Sequence, residues 1–190
     1  NSSAKGAKGS VDLSMRFVLI ASVVALVCTF VFFWLEVLHS VPQAVVAFFV
    51  VAIIAFLFTT VAANAIAIVG SNPVSGMTLM TLIVASVIFV SVGMEGPSGM
   101  VGAMVIGGVV CTALSMAGGF VTDLKIGADT GVTPRNQQIW KFLGTLVSAA
   151  TVGGVMIVLN KTYGFVGENA LVAPQAHAMA AVIDPLMNGG

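Results

Sequence analysis

Five long apolar runs separated by short polar stretches set the pattern of this chain: Phe17–Leu35, Ala44–Val69, Met77–Val92, Met100–Phe120 and Ile139–Leu159. Each reads as a helix crossing a bilayer, because a span needs roughly 20 predominantly apolar residues. The second run has 26 residues without a charge. At about 1.5 Å per residue that is about 39 Å, more than the roughly 30 Å of a hydrocarbon core. The third run supplies only 16 residues, few for a comfortable crossing. Between the two lies Gly70-Ser71-Asn72-Pro73-Val74-Ser75-Gly76. A long element, a Gly/Pro break and a short element match the sequence form of a discontinuous transmembrane helix. Pro73 lacks an amide hydrogen, and Gly70 and Gly76 tolerate backbone angles that other residues resist. The side chains of Ser71, Asn72, Ser75 and Thr78 would then form a polar cluster beside hydrocarbon. Such groups are tolerated at membrane depth only where protein buries them or water reaches them. The stretch therefore reads either as a tight turn joining two ordinary helices or as a break lining a substrate path.

Other polar residues modify this picture in detail. Asn64, about two turns before Asn72, is a membrane-embedded amide that wants a partner, either across a helix interface or in a ligand. Thr59 and Thr60 can bond back to their own helix and carry less information. Glu36 and His39 fall in a short loop that Pro42 closes, with Trp34 just before it as an interfacial anchor. Glu95 is the single acid among Gly93, Gly96, Pro97 and Gly99; it is either a solvated loop carboxylate or one that takes up protons at the mouth of a pathway. The fourth run carries Gly102, Gly107 and Gly108, and the fifth Gly144, Gly153 and Gly154, small residues that let helix backbones approach closely. Thr122–Gln138 is the main polar connection, ending in Thr133-Pro134 as N-cap and first helical residue. Beyond Lys161 the tail is less hydrophobic. Pro174 opens a helix running through Met187 that is too interrupted for a convincing span, and reads as a partial or re-entrant piece. This divides the chain into a polar N-terminal segment, 1–16, a helical bundle, 17–160, and an extracytoplasmic tail, 161–190.

Composition agrees with an all-α polytopic membrane protein. The chain of 190 residues is 58% hydrophobic and only 7% charged, against roughly 25% charged in soluble domains. Its net charge of zero offers no electrostatic case for nucleic acid. Cys28 and Cys111 lie singly in apolar runs and read as small hydrophobic fillers. No spacing of His, Cys and carboxylates resembles a metal site, no HExxH or GxSxG occurs, and no span holds a carboxylate. The reading is a non-enzyme without a cofactor. With five crossings, Lys5, Lys8, Arg16, Lys125, Arg135 and Lys141 share one side and only Lys161 the other, which puts the N-terminus in the cytoplasm.

Several strings resemble the oligopeptide transporter family, its bacterial branch in particular. They are Gly70-Ser71-Asn72-Pro73, Asp123-Leu124-Lys125 with Thr133-Pro134-Arg135-Asn136-Gln137-Gln138, Leu159-Asn160-Lys161-Thr162-Tyr163-Gly164-Phe165, and Ala173-Pro174-Gln175-Ala176. Asp12-Leu13-Ser14-Met15-Arg16 adds to them, so the likeness runs from about residue 11 to the end. Asn136 stands where the resemblance suggests a basic residue. Family members hold many more helices, so the chain reads as an internal or C-terminal-half fragment. The resemblance implies a proton-coupled secondary transporter for small peptides or, as in yellow-stripe-like relatives, for metal–chelate complexes. Its partners are then the lipid bilayer of a plasma (inner) membrane, the transported peptide or chelated metal, protons and the remaining helices. Ser71, Asn72, Ser75, Gly76, Thr78 and Asn64 are the candidate substrate contacts and Glu95 the candidate for proton coupling. The alternative is a non-transporting helical fragment or scaffold subunit.

Overall fold

The computed structural model describes residues 12–38, 40–71, 74–94, 96–165 and 174–188, the side chains of Ser75 and Gln175 excepted. The described residues are almost entirely helical: α1 Met15–Phe32, prolonged by a π-helical stretch Phe33–Leu38, α2 Val41–Val69, α3 Val74–Ser91, α4 Gly96–Thr130, α5 Pro134–Thr162 and α6 Pro174–Asn188. Four are long and apolar enough to cross a membrane: Met15–Leu38, α2, α4 and α5. The apolar part of α3, Gly76–Ser91, is shorter. This is an all-α, multi-pass membrane protein.

Local chemistry explains where the helices start and stop. Ser14 caps α1, its hydroxyl accepting from the Phe17 amide at 3.4 Å. Ser40 is the N-cap residue of α2 with Pro42 in the first turn. Pro42 thus opens a helix, because a missing amide costs nothing where no acceptor is due. Thr133 and Pro134 begin α5 as the sequence suggests, although the Thr133 hydroxyl makes no capping bond. Gly131, at φ 77°, ends α4, and the Val132 amide donates back to the Gly127 carbonyl at 2.8 Å. That 6→1 bond satisfies one of the orphan carbonyls of the last turn.

Two boundaries differ from the sequence reading. The polar connection is mostly helix: α4 runs on to Thr130, leaving only Gly131 to Thr133 between α4 and α5. Asp123, Lys125 and Asp129 do not end the helix; the left-handed residue that does is Gly131. Glu36 is not in a loop but exposed in the π-helical stretch, since nothing between Phe33 and Leu38 interrupts a helix. His39 lies outside the described residues. The tail helix, Pro174–Asn188, matches its expected extent within a residue, and it contributes Ile183 and Met187 to a buried core.

The chain forms two compact units. The larger comprises Ser14–Thr122 and Ala178–Gly190. Its core takes Phe33 and Leu38 from the π-helical stretch, Ala47 and Ile54 from α2, Leu82 and Phe89 from α3, and Ile106 and Leu114 from α4. Glycines of α4 admit α3 closely. A Cβ on Gly107 would sit 2.5 Å from Leu82 Cδ2, and one on Gly102 2.8 Å from Phe89 Cε2. Both distances are well inside van der Waals contact, so here the small residues do the packing expected of them. The smaller unit comprises Asn1–Leu13 and Asp123–His177. In it α5 has no buried residue, and a Cβ on Gly144, Gly153 or Gly154 would meet nothing within 4 Å. Close packing at these three glycines is not realised within the described residues, because no helix lies against that face.

Candidate functional site

The break between α2 and α3 is shorter than the sequence reading made it. Gly70 ends α2 in the left-handed region at φ 76°, its amide donating to the Ile66 carbonyl at 2.9 Å. A side chain there would be strained, so glycine sets the stop. Helix α3 already begins at Val74, which leaves Gly70 to Pro73 as the connection and places Gly76 inside the helix. Gly76 therefore serves as an exposed first-turn residue, and not as a second pivot. The amides of Val74, Ser75 and Gly76 are those without an intrahelical acceptor, earlier than the Gly76–Thr78 set that a later start implies.

The candidate residues do not share one environment. Ser71 is exposed beside the Gly70 stop. Asn72 and Glu95 lie outside the described residues. Asn64 is exposed on α2, away from the buried Ala62 and Ile66, and its amide donates to the Thr60 carbonyl at 2.9 Å. Thr78 is buried on α3, and its hydroxyl donates to the Val74 carbonyl at 2.7 Å. The geometry thus sets Thr78 in the packed face of α3 and Asn64 on an open face of α2.

Two buried hydroxyls escaped the sequence reading. Thr81 donates to the Met77 carbonyl at 2.8 Å, and the Ser86 hydroxyl is fully buried without a hydrogen-bond partner among the described residues. Thr78, Thr81, Ala85, Ser86 and Phe89 fall at helical spacing on the packed face of α3. That spacing is present in the sequence, but apolar neighbours hide which face is covered. Elsewhere on the same unit, α2 and α3 form an open groove of about 450 Å³, lined by residues such as Phe49, Ile53, Leu57, Val84 and Ile88. It offers no hydrogen-bonding side chain to a peptide.

A second polar group lies in the smaller unit and draws on three of the motif strings. Lys141 Nζ donates to Asp123 Oδ2 at 2.6 Å, and Gln137 Nε2 to the Asp123 carbonyl at 3.0 Å. Gln137 reaches that carbonyl by crossing Gly127, where any Cβ would collide with its amide. On its other side Gln138 accepts from the Leu13 amide at 2.9 Å and donates to Asp12 Oδ1 at 3.3 Å. Asp12-Leu13, Asp123 and the start of α5 are thereby tied together. The sequence shows these strings in order but not that they meet. Among the described residues no group of three or more His, Cys, Asp or Glu side chains is placed to hold a metal ion.

The model of the family described as "OPT oligopeptide transporter protein" matches residues 3–190, nearly the whole chain. The chain belongs to the oligopeptide transporter family. It is also 28% identical over 163 residues to a Haemophilus influenzae protein named "Putative oligopeptide transporter", in a match covering 75% of this chain. That match takes in 26% of the relative, so the chain spans about a quarter of its length. No solved structure matches the chain. For an oligopeptide transporter family member, the Gly70-Ser71 string falls at the α2–α3 break, and those of Asp12-Leu13, Asp123 and Gln137-Gln138 meet in the polar tie.

Proposed function

We propose that this chain is part of a proton-coupled secondary transporter for small peptides or metal–chelate complexes. The observation that carries the reading is family membership over residues 3–190. The α2–α3 break supports a place for the cargo. At the start of α3 the free amides and the positive end of the helix dipole suit an anion, and peptides and amino-acid-derived chelators both present carboxylates. In this reading Asn72 and Ser75 hydrogen-bond the cargo, with Ser71, Gly76 and Thr78 beside them. Asn64 contributes from α2, and Glu95 carries the coupled proton. Broken helices of this kind form the sites of other secondary transporters.

The test is uptake into proteoliposomes containing the full-length protein. A pH gradient, acidic outside, is expected to drive accumulation of a labelled tripeptide, and a proton ionophore to abolish it. Uptake that ignores the gradient would remove proton coupling, and no uptake of any small peptide or chelate would leave the scaffold reading.

Orientation belongs to the same proposal: an inner-membrane protein with its N-terminus in the cytoplasm. Six of the seven basic residues, Lys5, Lys8, Arg16, Lys125, Arg135 and Lys141, fall on one side if α3 crosses with the other spans. Single cysteines at Ser3 and Asn136 are expected to resist a membrane-impermeant thiol reagent on intact cells. Labelling of either from outside would reverse the orientation.

A further inference from the structure

Helix α4 runs unbroken for 35 residues, yet the border between the two compact units falls inside it, between Thr122 and Asp123. The residues just before that border favour a helix weakly, as Gly107 and Gly108 do earlier in the run. Gly118 and Gly119 stand side by side, each costing a helix interior about 1 kcal/mol relative to alanine. One turn later the Thr122 hydroxyl donates back to the Gly118 carbonyl at 3.1 Å. Back-bonding of this kind perturbs the amide ladder and bends helices, and adjacent small residues are where long helices flex. Immediately beyond the border the opposite holds. Asp123 is gripped twice by α5, through Gln137 at its carbonyl and Lys141 at its carboxylate. Gln138, next in line on α5, grips Asp12 and Leu13 just before the chain passes into the other unit at Ser14. Three side chains within the first two turns of α5 thus fasten two of the places where the chain passes between units.

We propose that Gly118–Thr122 is a hinge in α4, and that the clamp from Gln137, Gln138 and Lys141 makes α5, the end of α4 and Asp12-Leu13 move as one piece about it. Such an arrangement separates a soft point from a fastened arm, which is what a hinged closure needs. The role of this motion in transport rests on the function proposed above; the hinge itself does not.

Hydrogen exchange on the full-length protein in nanodiscs tests the hinge without any transport assay. Amides from Gly119 to Asp123 are expected to exchange roughly tenfold faster than those a turn or two away on either side. Gly119→Ala is expected to slow them roughly fivefold, and Thr122→Val, which removes the back-bond, to slow them also. Thr122→Val carries the test alone if the glycine variant does not fold. Uniform protection from Ala113 to Lys125 in the wild type, or no slowing in a folded variant, would overturn the hinge. Uptake then separates the two proposals. Wild-type uptake with loss of uptake in a stiffened, thermally stable variant gives the hinge its gating role. Full uptake in that variant overturns the gating role alone, and absent wild-type uptake overturns only the transport reading.

Discussion

Asn72→Ala in the full-length protein is expected to weaken peptide uptake roughly ten- to hundredfold while the amount of folded protein in the membrane stays near wild type. The size comes from the bond at stake. A hydrogen bond to a charged group contributes about 1.5–3 kcal/mol, and each 1.4 kcal/mol is about a factor of ten in affinity. Asn72 follows Ser71 directly, in a connection only four residues long between a left-handed stop at Gly70 and the free amides that open α3. In the proposed function Asn72 hydrogen-bonds the same carboxylate that those amides would receive. A plain connector predicts a different pattern, with either no change or parallel losses of protein and uptake. Uptake per folded molecule, measured against concentration, decides between them. If it equals wild type, the cargo is held elsewhere, and the buried hydroxyls of α3 become the next place to look. Gly70→Val makes a useful companion, since it strains the stop without removing a cargo contact and should lower folded protein and uptake together.

Gly107→Leu is expected to lower stability through the α3–α4 contact. The Cβ alone would come within 2.5 Å of Leu82 Cδ2, and Leu82 is only 1% exposed, so it has nowhere to retreat. Forcing extra carbons into such a contact costs about 1–3 kcal/mol and sometimes more, as rotamers and backbone shift. The conformational gain from replacing a helical glycine is only about 1 kcal/mol and does not offset it. A thermal melt of the purified protein in detergent should fall by several degrees for Gly107→Leu. Melting at the wild-type temperature would mean that α3 and α4 do not meet at this residue. Gly153→Leu provides the contrast. Its Cβ would meet nothing within 4 Å, so the contacts of the smaller unit give no reason for a loss. A comparable drop there would report a further helix of the full-length protein lying on α5.

These two glycines show where reading along the chain stops. Both sit in small-residue patterns in apolar helices, and by sequence they are equivalent candidates for close packing. Only the positions of neighbouring helices distinguish them: Leu82 faces Gly107, and no helix among the described residues faces Gly153. The same limit applies to the candidate site. Ser71, Asn64 and Thr78 group together by sequence because they are polar and near one another along the chain. Burial of Thr78 and exposure of Asn64 follow from which sides of α2 and α3 are covered, and near-uniform hydrophobicity around a membrane helix erases that signal.

The class of protein, the existence of each helix and most of their ends follow from the sequence alone. Uncharged runs longer than a bilayer is thick, in a chain with 7% charged residues, leave helices as the fitting structure, because their backbone groups are satisfied within the segment. Gly70, Thr133-Pro134 and Pro174 act through their own backbone chemistry, which needs no partner, and so their roles are legible along the chain itself. The tertiary structure decided the remainder. It carried α4 on to Thr130 through residues whose polarity suggests a loop, since charge alone does not end a helix. It brought Asp123 to Gln137 and Lys141, and Asp12-Leu13 to Gln138 from more than a hundred residues away in sequence. Contacts at that separation depend on how helices lie against each other, and local patterning carries no record of that.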